Sequence, residues 1–147
     1  MNILFVCRGN TCRSAMAELI AREALRRADA LDKVSVRSAG TEAYEGMQMS
    51  AGARHALDTL GIDDLSHSAQ EITSKLVDWA DFIYTMTQNR AGQILIGFPE
   101  AASKVQQLNP REPIEDPSGN TTAHYFELAK EIERHVRVVL KRLNIGD

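Results

Sequence analysis

Met1-Asn2-Ile3-Leu4-Phe5-Val6-Cys7-Arg8-Gly9-Asn10-Thr11-Cys12-Arg13-Ser14 is the stretch whose reading decides the fold of this 147-residue chain. Ile3–Val6 is a short, wholly apolar run and reads as a buried β-strand. From Ala15 the pattern turns helical: Met16, Leu19, Ile20 and Ala24 share one face, and Arg22, Glu23, Arg26 and Arg27 fall mostly off it. Between strand and helix, five residues separate Cys7 from Arg13. A loop at a helix N-terminus directs unpaired backbone N–H groups into a concavity, which makes an anion site. Gly9 and Asn10 are residue types that tolerate the left-handed backbone such a curl requires. Arg13 can present a planar fork to two oxygens of a tetrahedral oxyanion. Cys7, at the base of the bowl, would have its thiolate stabilised by the loop dipoles and by Arg13. The combination predicts a nucleophile aimed at phosphorus.

The plainer alternative makes Cys7 an inert core thiol at the end of a strand. Arg13 would then set a positive charge against the helix dipole for no return. Cys, Gly, Asn and Arg together at a strand-to-helix junction favour the reactive reading. Composition sets the frame for it. Hydrophobic residues at 44% and charged residues at 25% are ordinary globular values, and the length suits one domain spanning residues 1–147. A net charge of −3 argues against nucleic acid or an anionic membrane as the main partner. No apolar run approaches the ~20 residues of a membrane span. The N-terminus enters a strand directly, without a basic leader or cleavage site, so a soluble, cytoplasmic monomer is expected. Cys7 and Cys12 lie in one loop and cannot staple distant segments, while His55, His67, His124 and His135 show no ligand spacing. No metal or cofactor is expected.

Further along, Val34–Ser38 alternates as a strand and ends at Ala39-Gly40-Thr41. With the intervening helix it forms a strand–helix–strand unit, hence a parallel pair. A helix is predicted from about Ser50 through Leu57 and Leu60, stopped by Gly61. Thr73 caps a short helix to Ala80; Asp81–Met86 is the next buried strand; Thr87 caps a helix through Ile94 and Leu95. Lys104–Leu108 reads as a weaker edge strand, and Asn109–Thr122 as an irregular loop. The last helix, about Ala123 to Leu143, has the cleanest apolar periodicity. The fold class is α/β: three layers, a central sheet of about four parallel strands, helices on both faces, and a phosphate-binding loop after the first strand.

Val6-Cys7-Arg8-Gly9-Asn10-Thr11-Cys12-Arg13-Ser14-Ala15-Met16-Ala17-Glu18 resembles the signature of the low-molecular-weight protein tyrosine phosphatase family. The resemblance implies a phosphoprotein phosphatase acting on phosphorylated protein substrates through a phosphocysteine. Cys7 would be the nucleophile. Arg13 and the loop Arg8, Gly9, Asn10, Thr11, Cys12, Arg13 and Ser14 would bind phosphate. The family's general acid sits in an Asp-Pro loop, matched by Asp116-Pro117. By the same match Asn10, Ser14, Ser38 in Ser38-Ala39-Gly40-Thr41, and His67 would orient the loop. Two departures stand out: Thr87 where many members carry Asp, and Ser118 in place of the usual aromatic after the proline. Two other activities come under consideration. An arsenate reductase on this fold, of the thioredoxin-linked type, uses further cysteines that this chain lacks. A phosphocysteine carrier would need no general acid, so Asp116 and Arg13 count against it.

Specificity rests on Thr11, Arg8 and Ser118. Tyrosine-specific members commonly carry isoleucine at the position of Thr11. Thr11, Thr87 and Asp-Pro-x-Gly are similar to the bacterial protein arginine phosphatase branch. A guanidinium presents N–H donors that a threonine hydroxyl and a carboxylate can accept and isoleucine cannot. Ser118 removes an aromatic that could stack on tyrosine. Arg8 argues the other way, as a cation that should repel guanidinium and could stack on a phenyl ring. Cys12 is a candidate partner for an oxidised Cys7.

Overall fold

A computed structural model describes residues 1–145. Four parallel strands form one sheet in the order β2-β1-β3-β4: β1 (Asn2–Cys7), β2 (Ser35–Gly40), β3 (Phe82–Thr85) and β4 (Val105–Gln107). The helices are α1 (Arg13–Arg27), α2 (Ala51–Thr59), α3 (Ser74–Trp79), α4 (Gln88–Gly97) and α5 (Thr122–Arg142). The apolar run of β1 is explained by its place between two parallel neighbours, which leaves both of its faces covered. Its side chains alternate accordingly. Ile3, Phe5 and Cys7 join the core formed with α1, α2 and α5, whereas Leu4 and Val6 join a smaller core with Val77 and Ile94 from α3 and α4. Ile3, Leu4, Phe5 and Val6 are all fully buried.

Strand order places the site. From β1 the chain crosses to β2 on one side, then returns past β1 to β3 on the other. The crevice at the carboxyl ends of β1 and β3 is therefore the switch point where open α/β sheets bind ligands. Cys7 ends β1 at that crevice.

The sequence reading of elements holds with three adjustments. β2 runs to Gly40, two residues past the expected end at Ser38, because its ladder with β1 continues to the pair Cys7–Gly40. α1 begins at Arg13, not Ala15, so the phosphate-loop arginine is already helical. A 3₁₀ turn over Pro99–Ser103, unanticipated, starts on the fixed φ of Pro99. Thr73 and Thr87 cap their helices as expected, and Gly61 closes α2 at a φ of +84°. β4 pairs only with β3 and is the sheet edge.

Candidate active site

Between β1 and α1 the chain curls through Arg8–Cys12. Of the two residues expected to allow this curl, it is Asn10 that is left-handed, at φ 57°. Gly9 has no such φ, and a Cβ on it would meet only the Thr11 hydroxyl oxygen at 3.7 Å. α1 starts at Cys12 without a side-chain cap, whereas Ser50, Thr73, Thr87 and Thr121 cap the other four α-helices. The first-turn N–H groups of α1 thus have no side-chain acceptor and face the crevice, where the helix dipole is positive.

Asn10 is the hub beneath the loop. It is fully buried, and its amide nitrogen donates to Ser14 Oγ at 2.8 Å and to Ser38 Oγ at 2.9 Å. Its amide oxygen accepts the Gln70 backbone N–H at 2.9 Å, which settles the orientation of the amide. Ser38 Oγ in turn donates to Glu18 Oε1 at 2.5 Å. A carboxylate only accepts, so the directions of the Ser38 and Asn10 protons follow. Ser38 gives its hydroxyl proton to Glu18 and accepts from Asn10. Asn10 gives its second amide proton to Ser14. The Ser14 hydroxyl, with a donor already on its oxygen, has its one proton for the Ala39 carbonyl at 3.4 Å or for Cys7 Sγ at 2.9 Å, and a Cys7 thiolate, which can only accept, takes it. His67 Nε2 sits 2.6 Å from the Asn10 carbonyl and must be its protonated nitrogen, with Nδ1 4.0 Å from Glu18 Oε1. Glu18 also pairs with Arg22. The network leaves no buried side-chain polar atom unpaired among the described residues.

The wall of the bowl comes from two other segments. Gly40 packs so closely that a Cβ there would lie 2.5 Å from the Arg8 carbonyl oxygen. Beyond it, Thr41 and Glu42 donate their N–H groups to the Cys7 and Arg8 carbonyls at 3.0 and 2.9 Å. The Glu42 carboxylate then takes Arg8 Nε at 2.7 Å. Opposite, Arg13 is buried and donates to the Ile114 carbonyl at 3.0 Å, while the Ile114 N–H is held by the Met86 carbonyl at 2.8 Å. This ties the Asp116 loop to the end of β3 and to the arginine.

Asp116-Pro117-Ser118-Gly119 has a defined shape. Asn120 donates to the Pro117 carbonyl at 2.9 Å with Gly119 at φ 81°, a turn that needs glycine at that corner. Asp116 Oδ1 accepts both the N–H and the hydroxyl of Ser118, at 3.0 and 2.7 Å. Partial burial pushes the Asp116 carboxyl up, but these two bonds and the charges of Arg13 and Arg8 outweigh it and hold it below the ordinary aspartate value. A bound phosphoryl dianion acts in the opposite sense and favours the protonated acid. Cys12 is pushed up to about 12, first by burial and then by the Cys7 charge, against a bond from Ser50. It is a neutral thiol at pH 7. No group of three His, Cys, Asp or Glu among the described residues is placed to hold a metal ion.

A buried nucleophile and a buried arginine meet here with free helix N–H groups, and the Asp116 carboxylate lies within the influence of Arg13 and Arg8. The family model described as low molecular weight phosphotyrosine protein phosphatase matches residues 2–146. The chain belongs to this family. A protein-arginine-phosphatase of Geobacillus stearothermophilus is 34% identical over 146 residues, covering 96% of this chain and 95% of that protein. EpsP of Ralstonia solanacearum, named a probable low molecular weight protein-tyrosine-phosphatase, is also 34% identical, covering 96% and 94%. Among solved structures, the YwlE arginine phosphatase, in a variant whose active-site cysteine is a phosphorylated serine, superposes with a TM-score of 0.92 at 32% identity. It covers 98% of this chain and 96% of that one.

Cys7, Asn10, Ser14, Ser38 and His67 are thus brought into one network, and Arg13 and Asp116 onto one loop junction. Sequence reasoning missed Glu18, Gln70 and Glu42. Glu18 carried a signal: it is an acidic residue four positions after Ser14, on the helix face otherwise occupied by buried Ala15 and Leu19. Gln70 and Glu42 contribute through both backbone and side chain, to partners 32 or more positions away that residue type does not report.

Proposed function

We propose that this protein is a cytoplasmic phosphoprotein phosphatase that hydrolyses phosphoarginine or phosphotyrosine in proteins, with phosphoarginine favoured, through a phosphocysteine on Cys7. The observation that carries the reading is the hydrogen-bond network from Glu18 through Ser38 and Asn10 to Ser14, whose hydroxyl lies 2.9 Å from Cys7 Sγ. A donor at that distance stabilises a thiolate, the form that attacks. In the first displacement the Cys7 thiolate adds to phosphorus as the bond to the leaving nitrogen or oxygen breaks, and Asp116 protonates the departing atom. Arg13 and the N–H groups of Arg8–Ser14 hold the equatorial oxygens. In the second, Asp116 takes a proton from the attacking water, the sulfur–phosphorus bond breaks, and inorganic phosphate leaves. The side chains of Asn10, Ser14, Ser38 and His67 act through the loop and do not touch substrate.

Phosphoarginine is favoured because Thr11 and Asp116 supply acceptors for guanidinium N–H groups. Leaving each donor unpaired in a closed site costs roughly 1–3 kcal/mol. Ser118 adds to this preference, being small and turned back onto Asp116. The protein works as a monomer without nucleic acid or membrane. No helix among the described residues is long and apolar enough to cross a bilayer. The test is kcat/KM for phosphoarginine and phosphotyrosine peptides in wild type and Thr11→Ile. The ratio should move towards phosphotyrosine in the variant; an unmoved ratio removes Thr11 as selector.

A further inference from the structure

Arg8 is the exposed cation of the phosphate loop, and its charge opposes a guanidinium substrate. The structure shows what answers it. The carboxylate of Glu42 lies on Arg8 Nε at 2.7 Å and within 4.0 Å of Arg90 Nη1. Glu42 is also fixed through its backbone, its N–H donating to the Arg8 carbonyl at 2.9 Å. The preceding residue is held in the same way on Cys7, and Gly40 packs against the Arg8 carbonyl. Main chain and side chain of Glu42 therefore grip the same residue from two directions. Arg90 is oriented by Thr41 and Gln93 and stands on the first turn of α4, at the same rim.

We propose that Glu42 is a specificity-determining residue that masks the positive charge of the Arg8–Arg90 rim and so admits a guanidinium-bearing phosphoresidue. This inference rests on the phosphoarginine reading and explains how Arg8 is compatible with it. Phosphoarginine and phosphotyrosine share the phosphoryl dianion, which the bowl binds alike. They differ in what enters behind it: a planar cation in one, an uncharged ring in the other. With Glu42 ionised, the two rim cations are offset by one anion and the rim keeps a single net positive charge, because Asp116 enters the reaction as the protonated acid. Without Glu42 the rim keeps both arginines unmasked, and the entering guanidinium meets twice that positive charge. The ion pair itself is exposed, with side chains 63% and 47% accessible, so it contributes little to stability. Its effect lies in where the negative charge stands. Arg8 first, then Arg90, holds the Glu42 carboxyl below its ordinary value, so the mask is in place throughout the neutral range.

The experiment is kcat/KM on one peptide sequence carrying either phosphoarginine or phosphotyrosine, for wild type, Glu42→Gln, Glu42→Asp and the double variant Arg8→Gln/Glu42→Gln. One unit charge on the order of 8 Å from the guanidinium, at an effective dielectric of roughly 35, predicts about a three- to tenfold fall in the phosphoarginine-to-phosphotyrosine ratio for Glu42→Gln. That fall should shrink in high salt, since the rim is solvated. Glu42→Asp should keep most of the ratio, and removing Arg8 as well should restore much of it. A loop merely disturbed by the substitution would lower both substrates together and leave the ratio unmoved. An unmoved ratio, or one as low in the double variant as in Glu42→Gln, overturns the inference. Wild-type protein inactive on phosphoarginine would instead overturn the substrate reading beneath it.

Discussion

Replacing Asn10 tests whether the loop is built from the inside, because one side chain there does two separable jobs. Its backbone sits at φ 57°, a conformation that costs an alanine about 1–2 kcal/mol and a glycine nothing. Its amide also makes three hydrogen bonds, to Ser14 and Ser38, both buried, and to the half-buried Gln70 N–H. Losing it orphans the Gln70 N–H, at about 1–3 kcal/mol, and strips a donor from two hydroxyls, at about 0.5–1.5 kcal/mol each. Asn10→Ala should therefore destabilise the protein by roughly 3–8 kcal/mol, a large fraction of the stability of a domain this size. Asn10→Gly loses the same bonds without the strain. It should recover about 1 kcal/mol net of the freedom glycine adds to the unfolded chain. Urea unfolding of the two variants against wild type, with activity measured under native conditions, reads both terms. Either variant within about 1 kcal/mol of wild type, or an alanine variant no less stable than the glycine one, would refute the account of Asn10 as the hub.

Three further outcomes follow from the same geometry. Gly40→Ala places a methyl 2.5 Å from the Arg8 carbonyl oxygen and should raise the KM for phosphate-bearing substrates at least tenfold while the protein stays folded in urea titrations; unchanged KM would contradict the close approach. Ser118→Ala removes one of the bonds that keep Asp116 ionised, so the acid's pKa should rise. The alkaline fall of kcat for poor leaving groups should then move to higher pH, and a shift to lower pH would reverse the sign of the argument. Peroxide converts the Cys7 thiolate to a sulfenic acid and is itself reduced to water; the Cys12 thiol then condenses with that acid, releasing water and forming a disulfide. With the Cys7 charge gone, one of the two main causes of the high Cys12 pKa is gone too. Thiol should restore wild type after peroxide and fail to restore Cys12→Ser; equal recovery in both would exclude the disulfide.

How much of this was legible in the chain varies with the physics involved. β1 and its loop were legible because the apolar run, the cysteine and the arginine each carry their signal in residue type. Thr73 and Thr87 were legible as caps because a threonine before an apolar-periodic run has few other uses. The end of β2 was not, since Ser38, Ala39 and Gly40 have no strand propensity of their own and are held by the ladder to Cys7. Ser38 and His67 acquired meaning only through the family resemblance; alone they read as a turn serine and a loop histidine. Their positions in the structure, Ser38 on the Asn10 side chain and His67 on its backbone carbonyl, give that resemblance its physical content. Glu42 lay outside any reading of sequence, because its partner is thirty-four positions away and the contact depends on how β2 overruns the loop.

Cys7 as the covalent nucleophile is the central claim, and trapping the intermediate tests it most directly. Protein mixed with a radiolabelled phosphopeptide and quenched in denaturant within one turnover should carry about one phosphate per chain, mapped by peptide mass to Cys7. Asp116→Asn, which slows the hydrolytic step, should hold that label longer. Cys7→Ser should bind phosphate analogues and turn over nothing. Label on any other residue, or substantial phosphate release by purified Cys7→Ser protein, would contradict the account.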